Sequence, residues 1–523
     1  MRAQAATLML RIDYQWGLPG ASMIEIHPVL QASYDVLRHG IVILIILAVI
    51  LIIVLFIIDV TQTGNAVRRN YPVIGRFRRF FEHLGEFFRQ YFFAMDREEK
   101  PFNRAERTWA ERAAMNVDNT VAFGSTRDLT PPGTVLFVNH PFPPLEADHD
   151  EPAAVTVGPD CPHPYTTNSL INISAMSYGA LSNPAVRALS AGAKAAGCWM
   201  NTGEGGLSPA HLSGGADVIF QIGTAKYGVR DGEGNLSDEK LREVAAREQI
   251  RMFEIKLSQG AKPGKGGILP AIKVTAEISG IRGIPEGQDS LSPNRHPEIT
   301  SVGDILDMVD HVRQVTGKPV GFKTVVGNFG WLEEFCDEIA RRGPASAPDF
   351  ITIDSADGGT GAAPMSLLDN VGLPLRESLP GVVDLLRARG LRQRIKVIAS
   401  GKLIVPAEAA WAFCVGADFV NSARGFMFSL GCIQALKCNK NTCPTGITTH
   451  NARLQRGLDV ADKSERVTNY ARNLAAEIAI IAHSCGVTEP RQLGREHCRI
   501  VLPGGRSVPL DELYPEPDAV AAE

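Results

Sequence analysis

The chain has 523 residues, 45% of them hydrophobic and 21% charged, with a formal net charge of -4. That composition supports a packed core and excludes wholesale disorder, and the near-neutral balance gives no reason to expect a nucleic-acid partner. Nine cysteines, an odd number in a long chain, do not look like a disulfide framework. After an N-terminal segment (1–39), residues 40–58 are predicted to be a transmembrane helix. Ile41 to Ile58 reads IVILIILAVILIIVLFII, without one polar side chain. At a rise of about 1.5 Å per residue it nearly crosses a ~30 Å hydrocarbon core. A signal peptide is disfavoured because Asp59, Val60, Thr61 and Gln62 follow where small residues at a cleavage site belong. Arg68, Arg69, Arg76, Arg78 and Arg79 follow the run, whereas only Arg38 closely precedes it. This asymmetry predicts a single pass through the inner (cytoplasmic) membrane, with the large C-terminal part in the cytosol.

Residues 59–100 form a basic and aromatic juxtamembrane stretch. Phe77, Phe80, Phe81, Leu84, Phe88 and Tyr91 have helical spacing, suited either to the membrane interface or to packing on a soluble domain. A proline-rich lead-in, 101–165, reads as irregular. From 166 to 498 short apolar runs alternate with helical periods. The predicted strands are 170–175, 198–201, 217–221, 252–257, 320–324, 350–354, 395–399 and 418–421. The predicted helices between them are 183–196, 238–251, 302–315, 332–341, 380–389 and 406–414. Eight such units predict an α/β fold, a closed (β/α)8 TIM barrel. An open doubly wound sheet is the competitor, but no G-x-G-x-x-G turn follows an early strand. A long insertion, 258–301, separates the fourth and fifth strands, and such a loop is usually functional. A further helix is predicted over 464–483, before a tail, 499–523.

Two constellations carry the chemistry. Glycine-rich segments follow the last three predicted strands: Asp354 to Ala362, Ser400-Gly401-Lys402, and Asn421 to Gly425. At the C-terminal mouth of a barrel, such turns let main-chain N–H groups approach a phosphate closely, as FMN requires. The second is Cys432-x5-Cys438-x4-Cys443-Pro444. Three thiolates within a dozen residues suggest a 3Fe–4S cluster over segment 432–443. Zinc is the alternative, but it wants a fourth ligand, and His450 is the nearest histidine.

The segment GCIQALKCNKNTCPTGITTHN resembles the iron–sulfur segment of the glutamate synthases. SAMSYGALSNPAVRALSAGAKAAGCWMNTGEGG resembles the start of their FMN domain. EIKLSQGAKPGKGGILP, SADGGTGAAP and GADFVNSARGF follow in the family's order. The resemblance runs from about Ser174 to Arg495. It implies FMN and a 3Fe–4S cluster, and reduction of 2-iminoglutarate, formed from 2-oxoglutarate and ammonia, to L-glutamate. It also implies residue roles. The main chain of Ser174, Met176 and Ser177 passes the flavin ring, and Asn201 and Gln221 bond the ring or the substrate. Lys256 and Lys323 supply catalytic positive charge beside flavin and substrate, Lys262 and Gln259 bind the substrate carboxylates, and Glu204 sits near substrate or ammonia. Gly358, Gly359, Gly361, Gly401, Arg424 and Gly425 hold the phosphate side, and Cys432, Cys438 and Cys443 hold the cluster.

The chain departs from the family's pattern in having an apolar helix where a glutaminase domain is expected. No dinucleotide fingerprint and no C-terminal β-helix are recognised either. The expectation is therefore a synthase domain without glutaminase activity, drawing electrons from ferredoxin or a separate flavoprotein subunit. Two alternatives stand beside it. One is an FMN enzyme of the same fold acting on another 2-oxo acid, 2-hydroxy acid or imine. The other is a membrane-bound electron carrier with no substrate of its own.

Overall fold

The apolar run near the N-terminus is helical over a longer stretch than its eighteen residues. In the computed structural model, which describes residues 27–517, helix α1 covers His27–Thr61. From Ala32 to Thr61 it is long and apolar enough to cross a membrane. The earlier part of the N-terminal segment and residues 518–523 of the tail lie outside the described residues. The short helix α2 (Ala66–Asn70) and helix α3 (Gly75–Phe88) follow, and a π-helical turn, Arg89–Phe93, extends α3. One residue ties these pieces together. Asp59, in the last turn of α1, is fully buried, and its carboxylate accepts from Arg68 Nη2 (2.8 Å), Arg76 Nη2 (2.8 Å) and the Val73 N–H (3.0 Å). A buried carboxylate is costly without such donors. The third bond also holds Val73 at φ 68°, a conformation unfavourable for a β-branched residue. The chain divides into two compact units between Met95 and Asp96.

The second unit is the barrel. Its strands are β1 (Ile171–Ile173), β2 (Met200–Asn201), β3 (Val218–Ile222), β4 (Ile250–Lys256), β5 (Val320–Val325), β6 (Phe350–Asp354), β7 (Lys396–Ser400) and β8 (Phe419–Ser422). Each pairs in parallel with the next, and β8 pairs with β1, so the sheet closes on itself. All eight predicted strands are present, displaced by a residue or two at their ends. They were legible because each is a short apolar run buried on both faces. The helix Arg104–Ala114, α4 here, begins with a capping box between Asn103 and Glu106. After β1 comes α5 (Asn183–Ala196), matching its predicted bounds. The outer ring continues with α6 (Asp238–Ala245), α7 (Val302–Thr316), α8 (Gly330–Arg342), α9 (Leu375–Ala388), α10 (Pro406–Val415) and α11 (Val460–Ser484).

Three readings need correction. The lead-in contains α4, whose Ala110, Ala113 and Ala114 are buried, and Trp109 Nε1 donates to Glu477 of α11 at 3.2 Å. The buried face of α4 is made of alanines, so no run of large apolar residues marked it. The helix predicted over 238–251 stops at Ala245, because Ile250 is drawn into β4 opposite Val218 and Lys318 Nζ caps the freed carbonyl of Ala245 at 2.6 Å. The helix predicted to start at Pro380 starts five residues earlier, at Leu375. Proline cannot donate to the carbonyl of Arg376, and that carbonyl accepts from Tyr514 Oη at 3.4 Å instead. The insertion 258–301 is itself structured, with a two-stranded ribbon (Ile268–Leu269 with Ser290–Leu291) and a helix, Ala276–Arg282.

Candidate active site

The barrel interior changes character along its axis. Trp199, Ile219, Met252, Phe350, Ile398 and Phe419 form an apolar plug, packed from below against Val157 and Tyr165. Side chains two residues apart on a strand share a face. Two residues further along, the same strands therefore present Asn201, Gln221, Glu254, Thr352, Ser400 and Asn421, all buried. A polar layer thus lies on an apolar floor at the end of the barrel where the βα loops gather.

Glu254 organises one side of that layer. It accepts from Asn201 Nδ2 (2.8 Å), Gln221 Nε2 (2.6 Å) and Thr352 Oγ1 (2.6 Å). Asn201 Oδ1 in turn accepts from the N–H of Gly203 (2.9 Å), so its side chain also shapes the turn that carries Glu204. One step further along β4, Lys256 Nζ donates to Glu204 Oε2 (2.9 Å) and Gln259 Oε1 (3.1 Å). Lys262 Nζ lies 3.8 Å from Glu204 Oε1. Burial alone would raise the Glu204 carboxyl. The charges of Lys256 and Lys262 outweigh it and hold the group down at about 2. Burial depresses Lys262, and the Glu204 charge opposes that shift. Glycines make the room: a Cβ on Gly267 would meet Glu204 Oε1 at 2.6 Å, and one on Gly223 would meet the Glu204 Cβ at 2.6 Å.

The opposite side carries the glycine-rich turns. Lys323 Nζ lies 3.5 Å from Asp354 Oδ2, which also accepts from the N–H of Gly260 (2.9 Å), while Asp354 Oδ1 accepts from Ser400 Oγ (3.0 Å). Gln259 Nε2 donates to the Gly359 carbonyl at 2.8 Å, joining both sides of the mouth. The glycines are not equivalent. Gly361 has open space where a Cβ would be, and a Cβ on Gly359 would meet Arg424 Nε at 2.8 Å. A Cβ on Gly358 would meet the Ser355 carbonyl at 2.8 Å. A Cβ on Gly401, which holds φ 143°, would meet the Ser355 Cβ at 2.3 Å, and one on Gly425 would meet Tyr470 Oη at 1.9 Å. Gly401 and Gly425 are thus demanded by packing as well. The Arg424 guanidinium stands over the Phe102 ring at 4.5 Å. Desolvation lowers Arg424 to about 10, against the pull of Asp357 and Asp354. The main chain of Ser174 is bonded to the Ser422 carbonyl (3.0 Å), and Met176 and Ser177 back directly onto Gly203. Asn172 Nδ2 and Asn421 Oδ1, on paired positions of β1 and β8, are buried without a hydrogen-bond partner.

The three clustered cysteines lie in a loop after β8, and none of them is in a disulfide. Burial pushes Cys432 up to about 12, with the charges of Cys438 and Cys443 adding to the rise. The Cys443 thiol accepts from Thr445 and Thr448 and is lowered despite its burial. Non-glycine residues in the loop hold positive φ: Gln434 (55°), Leu436 (53°) and Asn441 (58°). Such backbone strain concentrates at functional sites. Among the described residues, no three His, Cys, Asp or Glu side chains converge as they would round a single metal ion. His450, the fourth ligand a zinc site would recruit, is bonded to the Gly179 carbonyl at 2.7 Å. Lys273 ties this loop to the barrel mouth: its buried Nζ donates to the carbonyls of Ala180 (3.0 Å) and Cys438 (3.1 Å).

Sequence reading missed four of these groups. Glu254 and Asp354 share strand faces with Lys256 and Thr352, and that period of two was their signal. Lys273 and Arg282 lie in the insertion, where no periodicity marks them. Arg282 Nη2 donates to the Tyr178 carbonyl at 3.2 Å, and its charge helps to lower Glu204.

Residues 137–488 match the family described as the conserved region in glutamate synthase. The glutamate synthase large subunit-like protein YerD of Bacillus subtilis is 40% identical over 498 residues, 88% of this chain and 94% of its own. The archaeal glutamate synthase (NADPH) of Methanocaldococcus jannaschii is 36% identical over 345 residues, 65% of this chain and 63% of its own length. Among solved structures, a mandelate oxidase aligns with 75% of this chain and 98% of its own at 15% identity and a TM-score of 0.44, too distant to speak to function. With the synthase motifs carried on a closed barrel and most of the chain matched, the protein belongs to the glutamate synthase family and is an oxidoreductase of that type.

Proposed function

We propose that this protein reduces 2-iminoglutarate, formed from 2-oxoglutarate and ammonia, to L-glutamate, using FMN in the barrel mouth and a 3Fe–4S cluster on Cys432, Cys438 and Cys443. One observation carries the reading: a buried cationic seat, Lys256 and Lys262 around Glu204, beside the polar layer of the barrel mouth. Lys256, Lys262 and Arg282 around the single carboxylate of Glu204 leave that group two positive charges in excess. A dicarboxylate balances them. Lys256 and Lys262 bind and orient its carboxylates, Gln259 keeps Lys256 in place, and the Glu204 charge opposes the depression of Lys262 by burial.

The site's chemistry suits both groups. The unpartnered Asn172 Nδ2 and Asn421 Oδ1 offer hydrogen bonds that the chain itself does not use. Arg424, with the open turn at Gly361, suits a phosphate. Main chain at Ser174, Met176 and Ser177 lines the ring side, and Lys323 adds positive charge there. Three thiols within a dozen residues on one loop suit a 3Fe–4S cluster, whereas a zinc site would want a fourth ligand and His450 is already bonded to the Gly179 carbonyl. When bound, FMN supplies the hydride for the imine carbon and the cluster supplies its electrons. Electrons reach the cluster from ferredoxin or a separate flavoprotein subunit, and ammonia comes from solution or a partner, since no glutaminase chemistry is assigned to this chain. Helix α1 anchors the enzyme in the inner membrane by a single pass, with the barrel in the cytosol. The test is anaerobic purification followed by incubation with reduced donor, 2-oxoglutarate and ammonium. Glutamate forms at the expense of reduced flavin; a protein that carries flavin and iron but does not reoxidise with these substrates overturns the assignment.

A further inference from the structure

Helix α3 carries an apolar face that the catalytic reading does not use. At about 100° per residue, Phe77, Phe80, Phe81, Leu84, Phe87 and Phe88 fall within one third of the helix circumference. The following turn brings Tyr91 onto the same arc. Arg78, Arg79 and Arg89 lie on the other side with Glu82 and Glu86. In a soluble helix such a stripe is buried, yet these phenylalanine rings are exposed, Phe81 by 62% and Phe80 by 58%. A contiguous exposed patch of this kind marks an interaction surface.

We propose that α3 lies in the headgroup layer of the membrane that α1 crosses, with its rings at the acyl boundary and its arginines on anionic phospholipid headgroups. The proposal rests on the reading of α1 as a span. Three observations select this occupant. The Asp59 carboxylate, in the last turn of α1, is clamped to Arg76 in the first turn of α3, and a Cβ on Gly75 would meet the Val67 carbonyl at 3.0 Å. The first turn of α3 is therefore held where the span ends, at the depth of the bilayer surface. The charge is complementary: between residues 66 and 93 the helices carry Arg69, Arg78, Arg79 and Arg89 against Glu82 and Glu86, with Arg78 paired to Glu82 at 2.8 Å. Basic residues close to an anionic surface are drawn to it. The face is aromatic rather than leucine-rich, the composition that favours the membrane–water boundary over a protein core.

The test places an environment-sensitive fluorescent amino acid, in separate full-length proteins, at Leu51, Arg79 or Phe81, in nanodiscs of phosphatidylcholine alone or with phosphatidylglycerol. The expected result is quenching at positions 51 and 81 by brominated lipid, and at position 79 by aqueous iodide. Phosphatidylglycerol strengthens the lipid quenching at position 81. An Arg79→Glu/Arg89→Glu variant lowers it by about threefold and removes its dependence on anionic lipid. Quenching at 51 but not at 81 overturns the placement of α3 alone, the rings then packing on the barrel or on a second copy. Quenching at neither position removes the span as well. Quenching at 81 that ignores lipid charge overturns the headgroup recognition.

Discussion

Glu204 shows how one side chain sets the state of its neighbours. It is the counter-charge of Lys256 and Lys262, and burial already depresses Lys262. A Glu204→Gln variant removes the opposing pull, so less of Lys262 stays charged at neutral pH. Steady-state kinetics are expected to show kcat/KM for 2-oxoglutarate falling at least ~10-fold, about 1.4 kcal/mol of lost transition-state stabilisation. Lys262→Met is expected to act mainly on KM, and an unchanged KM would remove Lys262 from substrate binding. His211 makes the pH prediction. Burial lowers it to about 3, and its Nε2 has no partner. The folded protein keeps this ring neutral while the unfolded chain protonates it near pH 6.5. Stability is thus full above about pH 6.5 and falls with pH below it, by up to about 1.4 kcal/mol per unit, until pH approaches the folded value. Urea midpoints between pH 7.5 and 5 are expected to show this loss. His211→Asn, whose Oδ1 can still accept from the Ser208 N–H that Nδ1 accepts at 3.0 Å, is expected to flatten it.

Among the elements, the turns after β6, β7 and β8 carry two kinds of glycine. Gly361 opens onto free space, whereas a Cβ on Gly425 would meet Tyr470 Oη at 1.9 Å. Gly425→Ala is therefore expected to lower the melting temperature strongly, on the order of 3 kcal/mol. Tyr470→Phe in the same protein is expected to restore part of it, which separates packing from phosphate binding. The cysteine loop depends on Lys273 from the insertion. Lys273→Met leaves the carbonyls of Ala180 and Cys438 without their donor, at about 1–3 kcal/mol each. Metal analysis is expected to show a lower iron-to-flavin ratio with flavin retained; equal loss of both would mean that Lys273 supports the barrel mouth as a whole.

For the whole molecule, an apolar helix long enough to cross a membrane precedes the barrel. The full-length protein is expected to stay in the membrane pellet after alkaline carbonate extraction. Protease added outside spheroplasts is expected to leave the barrel intact. Release by carbonate would reduce α1 to a peripheral contact, and external cleavage within the barrel would reverse the orientation drawn from the arginines.

The sequence by itself determined the number and order of the barrel strands, the apolar helix, the cysteine spacing and the glycine turns. Each of these is a local pattern: a short run buried on both faces, an unbroken apolar stretch, or ligands close along the chain. It did not determine that Asn201 and Gln221 converge on Glu254, that Glu204 sits between Lys256 and Lys262, or that Lys273 reaches the cysteine loop. Nor did it reveal α4, or a helix that passes through Pro380 because Tyr514 supplies the missing donor. Those contacts join residues tens to hundreds of positions apart, so only closure of the barrel, which brings its strand ends to one mouth, decided them.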